Sequence, residues 1–178
     1  DDLVFGDDGE VLNHSVQVNV NATDAPDVID GGKGNDILIG GGGKDTINGN
    51  DGEDLVLGGG GVVNFSSDSV TKQKPNVKVL KDGAFEGVEH ESDTSAGDVI
   101  SGGKGIDWLV GTAGSDTISG GDSDDIIFGF AGADTIKAGA GDDIIFGDGG
   151  KYDKDGVAVP LAGGDADDID AGEGEDTV

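Results

Sequence analysis

Over most of the chain an aliphatic residue recurs every nine positions, and polar and small residues alternate around it. Residues 31–39 read GGKGNDILI, 40–48 read GGGGKDTIN and 102–110 read GGKGIDWLV. We number each repeat so that its Asp is position 6. Position 8 is then Ile29, Leu38, Ile47, Val56, Ile100, Leu109, Ile118, Ile127, Ile136, Ile145, Ile169 and Val178, aliphatic every time. The glycine-rich stretch before each Asp predicts a turn, because Gly accepts positive φ and close backbone approach. The three residues after it predict a short strand, with position 8 facing inward and positions 7 and 9 facing outward. Strands this short bury nothing alone. Stacked coils do, each adding one aliphatic layer to a thin core between two sheets.

A second period of 18 lies over the first. On alternate strands positions 7 and 9 are Leu3/Phe5, Ile37/Ile39, Leu55/Leu57, Trp108/Val110, Ile126/Phe128 and Ile144/Phe146. On the other strands they are Val28/Asp30, Thr46/Asn48, Val99/Ser101, Thr117/Ser119, Thr135/Lys137 and Asp168/Asp170. One coil is therefore two repeats, and the two sheets differ in their outer faces, one apolar and one mostly polar. The expected fold is all-β: a parallel β-roll (β-solenoid) of about six 18-residue coils, continuous over residues 1–178 as a single domain.

Three inserts interrupt the beat, at about residues 10–26, 62–97 and 151–166. Each follows an apolar-face strand and ends at the Asp of a polar-face strand, so all three should leave the same edge of the roll. PNVKVL (75–80) in the longest insert reads as a strand. Its apolar residues, with Phe65, Val77, Val79 and Phe85 the clearest, are candidates to cover the apolar sheet. The competing reading makes that sheet an interface with adjacent segments of the same long chain or with like subunits, anchored by Trp108, Phe128 and Phe146.

Composition sharpens this picture. The 178 residues carry 38 acidic against 10 basic side chains, a formal charge of −28, and 37 glycines without a collagen triplet. A chain this acidic repels nucleic acid and anionic membrane surfaces. High net charge with few aromatics ordinarily means disorder, so the regular aliphatic beat implies order that depends on cations. The absence of Cys excludes disulfides and thiolate metal sites. No apolar run near 20 residues is present, so no membrane-spanning helix is expected. The chain opens and closes inside a repeat, which reads as a piece of a longer protein.

The pattern Gly-Gly-x-Gly-x-Asp-x-aliphatic-x resembles the RTX, or haemolysin-type calcium-binding, nonapeptide repeat, and the resemblance covers most of the chain outside the inserts. It implies a right-handed parallel β-roll with Ca²⁺ held between successive turns on each edge by the position-6 carboxylates and turn carbonyls. Calcium takes 6–8 oxygens at ~2.3–2.6 Å in tolerant geometry, which suits such turns. Carried onto this chain, one edge has Asp36, Asp54, Asp107, Asp125, Asp143 and Asp176. The edge with the inserts has Asp27, Asp45, Asp98, Asp116, Asp134 and Asp167, and Asp2 reads as a thirteenth repeat Asp. The turn glycines implied in the sites are Gly31, Gly32, Gly34, Gly40, Gly41, Gly43, Gly49, Gly52, Gly102, Gly103, Gly105, Gly111, Gly114, Gly120, Gly129, Gly132, Gly139 and Gly141. Up to about ten Ca²⁺ fit between the turns, which would bring the formal charge from −28 to about −8.

Several turns depart from the pattern. Position 2 is Asn50, Thr112 and Phe130; position 4 is Ser123 and Asp165; position 1 is Ala138, Ala162 and Ala171. The turns ending at Asp27, Asp98 and Asp167 are split by inserts. The rival chemistries are poorer. GGGGKDT (40–46) lacks the GK[ST] ending and following helix of a phosphate loop. DKDG (153–156) begins like an EF-hand loop without its later ligands. The two histidines, His14 and His90, lie in different inserts and build neither a zinc site nor a triad.

The resemblance implies a non-enzymatic calcium-dependent segment of a large secreted bacterial surface protein (an adhesin, S-layer or filament), exported by type I secretion and folded by Ca²⁺ outside the cell. The alternative is the calcium-binding tail of a secreted enzyme or pore-forming toxin.

Overall fold

The computed structural model describes residues 2–6, 9–12, 15–18, 25–64, 78–79, 85–86, 88–91, 97–148, 150–152, 158–160 and 165–178. Among them the chain forms strands and no helix. In chain order the first strands are β1 (Leu3–Phe5), β2 (Gly9–Leu12), β3 (Ser15–Val18), β4 (Val28–Lys33), β5 (Ile37–Ile39), β6 (Thr46–Asp51) and β7 (Leu55–Leu57). Then come β8 (Gly60–Asn64), β9 (Lys78–Val79), β10 (Phe85–Glu86), β11 (Val88–Glu91), β12 (Val99–Lys104), β13 (Trp108–Val110) and β14 (Thr117–Asp122). The last are β15 (Ile126–Phe128), β16 (Thr135–Ala140), β17 (Ile144–Phe146), β18 (Gly150–Tyr152), β19 (Ala158–Pro160) and β20 (Asp168–Glu173).

Two parallel six-stranded sheets make the roll. One has the order β1-β5-β7-β13-β15-β17 and the other β20-β16-β14-β12-β6-β4. Register follows the repeat: Leu38 pairs with Val56, Val56 with Leu109, Leu109 with Ile127 and Ile127 with Ile145. The partners Val56 and Leu109 pair in register although the longest insert separates them. The position-8 side chains of both sheets form one buried cluster, from Ile29 and Leu38 to Ile136 and Ile145. Fully burying a side chain of this kind contributes about 1.5–3 kcal/mol.

The strands of the polar-face sheet run six residues, not the three expected. Positions 1 to 3 of the following turn stay in the parallel ladder, as in Gly103↔Gly121 and Lys104↔Asp122. The turns on the insert-free edge thereby extend the sheet, whereas the apolar-face strands stop at three residues. Side-chain alternation alone does not register this, because a glycine pair carries no facing signal.

In chain order the inserts follow β1, β7 and β17. They begin slightly early, because β2, β8 and β18 start at Gly9, Gly60 and Gly150. The first two inserts share one antiparallel sheet of order β2-β3-β8-β11-β10-β9, and the third forms the hairpin β18-β19. The strand expected over 75–80 is found at Lys78–Val79.

On the apolar outer face, Ile39, Leu57, Val110 and Phe128 are buried within the single chain, and Phe146 nearly so. Phe128 stacks on Phe146 at 4.8 Å between ring centroids and meets Phe130 at 6.2 Å. This row is dry without a second molecule. Trp108, Ile126 and Ile144 remain half-buried along the other row. The expected covering side chains Phe65, Val77, Val79 and Phe85 lie outside the described side chains.

Candidate metal centre

The position-6 aspartates form two ladders, one on each edge. On the insert-free edge the backbone N–H of Asp2 donates to Asp36 Oδ1 (2.5 Å), Asp36 to Asp54 (2.8 Å), Asp54 to Asp107 (2.8 Å), Asp107 to Asp125 (2.9 Å), Asp125 to Asp143 (2.8 Å) and Asp143 to Asp176 (3.0 Å). On the other edge Asp27 donates to Asp45 (2.9 Å), Asp45 to Asp98 (2.8 Å), Asp98 to Asp116 (2.6 Å), Asp116 to Asp134 (2.8 Å) and Asp134 to Asp167 (3.0 Å). The inserts at Asp27, Asp98 and Asp167 do not break the ladder. The order on each edge is the one the 18-residue spacing predicts, and Asp2 joins it. Each Asp except the last of its ladder, Asp167 and Asp176, also accepts through its backbone carbonyl from position 7 of the next coil, as Leu55 N–H does to Asp36 O (2.9 Å).

These carboxylates are deeply buried at interior rungs, for instance Asp107 at 0 % and Asp125 at 1 % exposure. The Oδ1 atoms are occupied by the ladder. The Oδ2 atoms of Asp54, Asp107, Asp125, Asp134 and Asp143 are buried and accept no hydrogen bond. A buried carboxylate oxygen without a donor is costly and calls for a proton or a cation. Proton affinity reflects that demand. Burial first of all, opposed by the ladder hydrogen bond and reinforced by neighbouring carboxylates, pushes Asp54 up to about 6, Asp107 and Asp134 to about 7 and Asp125 to about 8.

The turn glycines shape the space beside each Oδ2. A Cβ on Gly31 would sit 2.8 Å from Asp36 Oδ2 and 2.9 Å from the Gly49 carbonyl oxygen of the next coil. One on Gly49 would meet Asp54 Oδ2 and lie 2.6 Å from the Gly102 carbonyl oxygen. Where the first position of the turn is Gly, it therefore leaves a pocket lined by a carboxylate and a carbonyl oxygen; in the Asp143 turn Ala138 takes that position and the Oδ2 still accepts no hydrogen bond. Gly40, Gly102, Gly120 and Gly129 repeat the pocket with Asp45, Asp107, Asp125 and Asp134; Gly111 lies likewise beside Asp116, whose Oδ2 already accepts the Thr112 N–H. Positions 2 and 4 need glycine for another reason. Gly103 and Gly105 have φ of 118° and 114°, and Gly32, Gly34, Gly41, Gly43, Gly132, Gly139 and Gly141 are likewise left-handed. Gly52 and Gly114 have no such φ, and a Cβ on Gly52 would instead strike the Gly34 carbonyl.

Among the described residues no three acidic or imidazole side chains converge on one point. Each coil gives each edge one position-6 carboxylate, so further ligands have to be carbonyl oxygens of the turns. That donor set, all oxygen and partly backbone, fits a hard divalent ion of the calcium type. Bound there, calcium supplies the charge and coordination that the Oδ2 atoms lack.

Residues outside the expected set also stack. At position 5 of the insert-free edge, Glu53 N–H donates to Asn35 Oδ1 (3.1 Å), Asp142 N–H to Asp124 Oδ1 (2.9 Å) and Glu175 N–H to Asp142 Oδ1 (2.9 Å). At position 3, Lys104 Nζ binds Asp51 Oδ1 at 2.6 Å and Lys33 approaches Asp51 at 3.9 Å. The 18-residue recurrence of polar residues at these positions was the available signal.

Comparison with curated proteins and with solved structures returns no match. A family model does match. The RTX calcium-binding nonapeptide repeat is found in four copies, at residues 30–62, 101–129, 131–151 and 161–178, more than half of the chain. Its spans contain both ladders apart from Asp2, Asp27 and Asp98, and its period is the one that stacks the aspartates. Ladder, oxygen-lined turns and matched repeats agree, and the chain belongs to the RTX calcium-binding nonapeptide-repeat family.

Proposed function

We propose that this chain is a non-enzymatic structural segment of a large secreted bacterial surface protein, such as an adhesin, S-layer or filament, ordered by calcium outside the cell. The observation that carries this reading is the pair of carboxylate ladders with buried Oδ2 atoms at Asp54, Asp107, Asp125, Asp134 and Asp143. Without cations those rungs oppose the fold that the aliphatic core favours. In a low-calcium cytosol the chain stays unfolded and passes a type I exporter; at millimolar calcium it folds. Each site occupied only in the folded state adds roughly 2.7 kcal/mol at a hundredfold excess of calcium over Kd. Several sites together exceed the usual stability of a domain this size, about 5–15 kcal/mol.

The inserts favour a surface array over an enzyme or toxin tail, because two of them join in a separate six-stranded sheet beside an uninterrupted roll. Circular dichroism with calcium and with excess chelator tests the switch. A β spectrum only with calcium is expected; the same folded spectrum in chelator refutes it. Sequence upstream of the segment separates the two contexts: further insert-bearing rolls support the array, a catalytic domain the tail.

A further inference from the structure

The Asp116 rung differs from those of Asp54, Asp107, Asp125, Asp134 and Asp143. Asp116 is buried like its neighbours, but its Oδ2 accepts the backbone N–H of Thr112 at 2.6 Å. The Thr112 hydroxyl lies 3.2 Å from Asp116 Oδ1 and 3.4 Å from Oδ2, and itself accepts the Gly114 N–H at 3.2 Å. Thr112 is 1 % exposed. Its Cγ2 comes within 3.3 Å of where a Cβ on Gly58 would sit, in the first position of the adjacent split turn. The methyl thus lies toward the Asp98 turn, on the side of the preceding coil.

The cause lies in residue type. Position 2 is left-handed at Asn50 (φ 80°), Gly103 (φ 118°), Gly121 (φ 131°), Phe130 (φ 73°) and Gly139 (φ 120°). Those are the turns of Asp54, Asp107, Asp125, Asp134 and Asp143, whose Oδ2 atoms accept nothing. A β-branched residue at positive φ is a genuine outlier, and Thr112 does not adopt one. Its turn is rebuilt, and the N–H reaches a carboxylate oxygen whose counterpart those five turns leave open.

We propose that the turn 111–116 takes no calcium: Thr112 closes the Asp116 carboxylate in place of the ion, leaving a metal-independent rung on the insert-bearing edge. The inference rests on the calcium reading of the other rungs and adds which rung is exempt. A carboxylate that already accepts the Asp98 N–H on Oδ1, the Thr112 N–H on Oδ2 and the Thr112 hydroxyl gains little from a cation.

The test is a count of calcium per chain, by equilibrium dialysis and atomic emission on the full segment at saturating calcium. Thr112→Gly restores the left-handed position and should raise the count by one. An unchanged count in folded Thr112→Gly overturns the proposal. If that variant does not fold in calcium, Asn50→Thr decides: the loss of one ion supports the proposal, and retention of all ions overturns it. A wild-type chain that binds no calcium refutes the calcium reading itself, which is a separate failure.

Discussion

The interior strip of the roll and its two edges come from the same nonapeptide, yet they behave oppositely. The interior stacks Ile, Leu and Val in register, with Leu38, Ile47, Leu109, Ile127 and Ile136 out of water. It favours the fold under any ionic condition. The edges stack carboxylates with the same regularity, at Asp54, Asp107, Asp125 and Asp143 on one side. Burial makes these rungs hostile to the fold unless a cation or a proton arrives. Position 8 supplies stability and position 6 supplies conditionality, two residues apart. On the proposed reading, control by calcium needs no hinge or second domain.

Removing calcium gives the largest effect on that contrast. Chelation should abolish order, with the radius of gyration by small-angle scattering rising from roughly 16 Å toward roughly 45 Å. A compact chain in chelator would mean the core outweighs its edges. Next in size is Leu109→Ala, which deletes a side chain buried between both sheets. It should cost about 2–5 kcal/mol in calcium-saturated melts without altering the number of ions bound. Asp125→Asn should act with opposite signs in the two states. It removes an ion, yet stabilises the calcium-free chain by on the order of 1 kcal/mol, because a carboxylate no longer has to be protonated or left charged on burial. A variant less stable in both states would place Asp125 with the core.

Acidity offers a gentler probe. In the calcium-free fold Asp54, Asp107, Asp134 and Asp125 have proton affinities raised by burial to about 6, 7, 7 and 8, above the ordinary carboxylate value of 3.8. The folded state then holds more protons than the unfolded one between pH 4 and 8. Calcium-free stability is consequently greatest near pH 4 and falls as pH rises through 6 to 8. Calcium must displace those protons, so its affinity should tighten from pH 5 to pH 8, with protons released on binding. Isothermal titration calorimetry in two buffers of different ionisation enthalpy measures the release; none at pH 7 would contradict the raised affinities. The smallest effect belongs to the outer charge string. The hydrogen bond between Lys104 and Asp51 raises the proton affinity of the lysine and lowers that of the aspartate. Both are exposed, so Lys104→Ala should shift the melting temperature marginally, and salt should erase the shift.

Much of this was legible in the sequence because the repeat is a strict period. The inward position 8, the assignment of each Asp to an edge and the continuity through the inserts all follow from counting residues. What was not legible has local causes. The strands through Gly102-Gly103 and Gly120-Gly121 continue into the turn because the next coil pairs with them, and glycines give no alternation to read. The sheet shared by two inserts joins β3 and β8, whose pairing no period links. Thr112 stood out as a departure at position 2, but its consequence depends on where its N–H points once φ is no longer left-handed. Phe130 departs at the same position and keeps the left-handed turn, packed against Phe128.

A crystal structure of the segment grown in calcium, with anomalous difference density, tests the central claim most directly. The expected result is metal peaks strung along both edges beside the Oδ2 atoms of Asp54, Asp107, Asp125, Asp134 and Asp143, with oxygens at about 2.3–2.6 Å. Edges without peaks, their carboxylates turned out to water while the aliphatic core remains stacked, would contradict it.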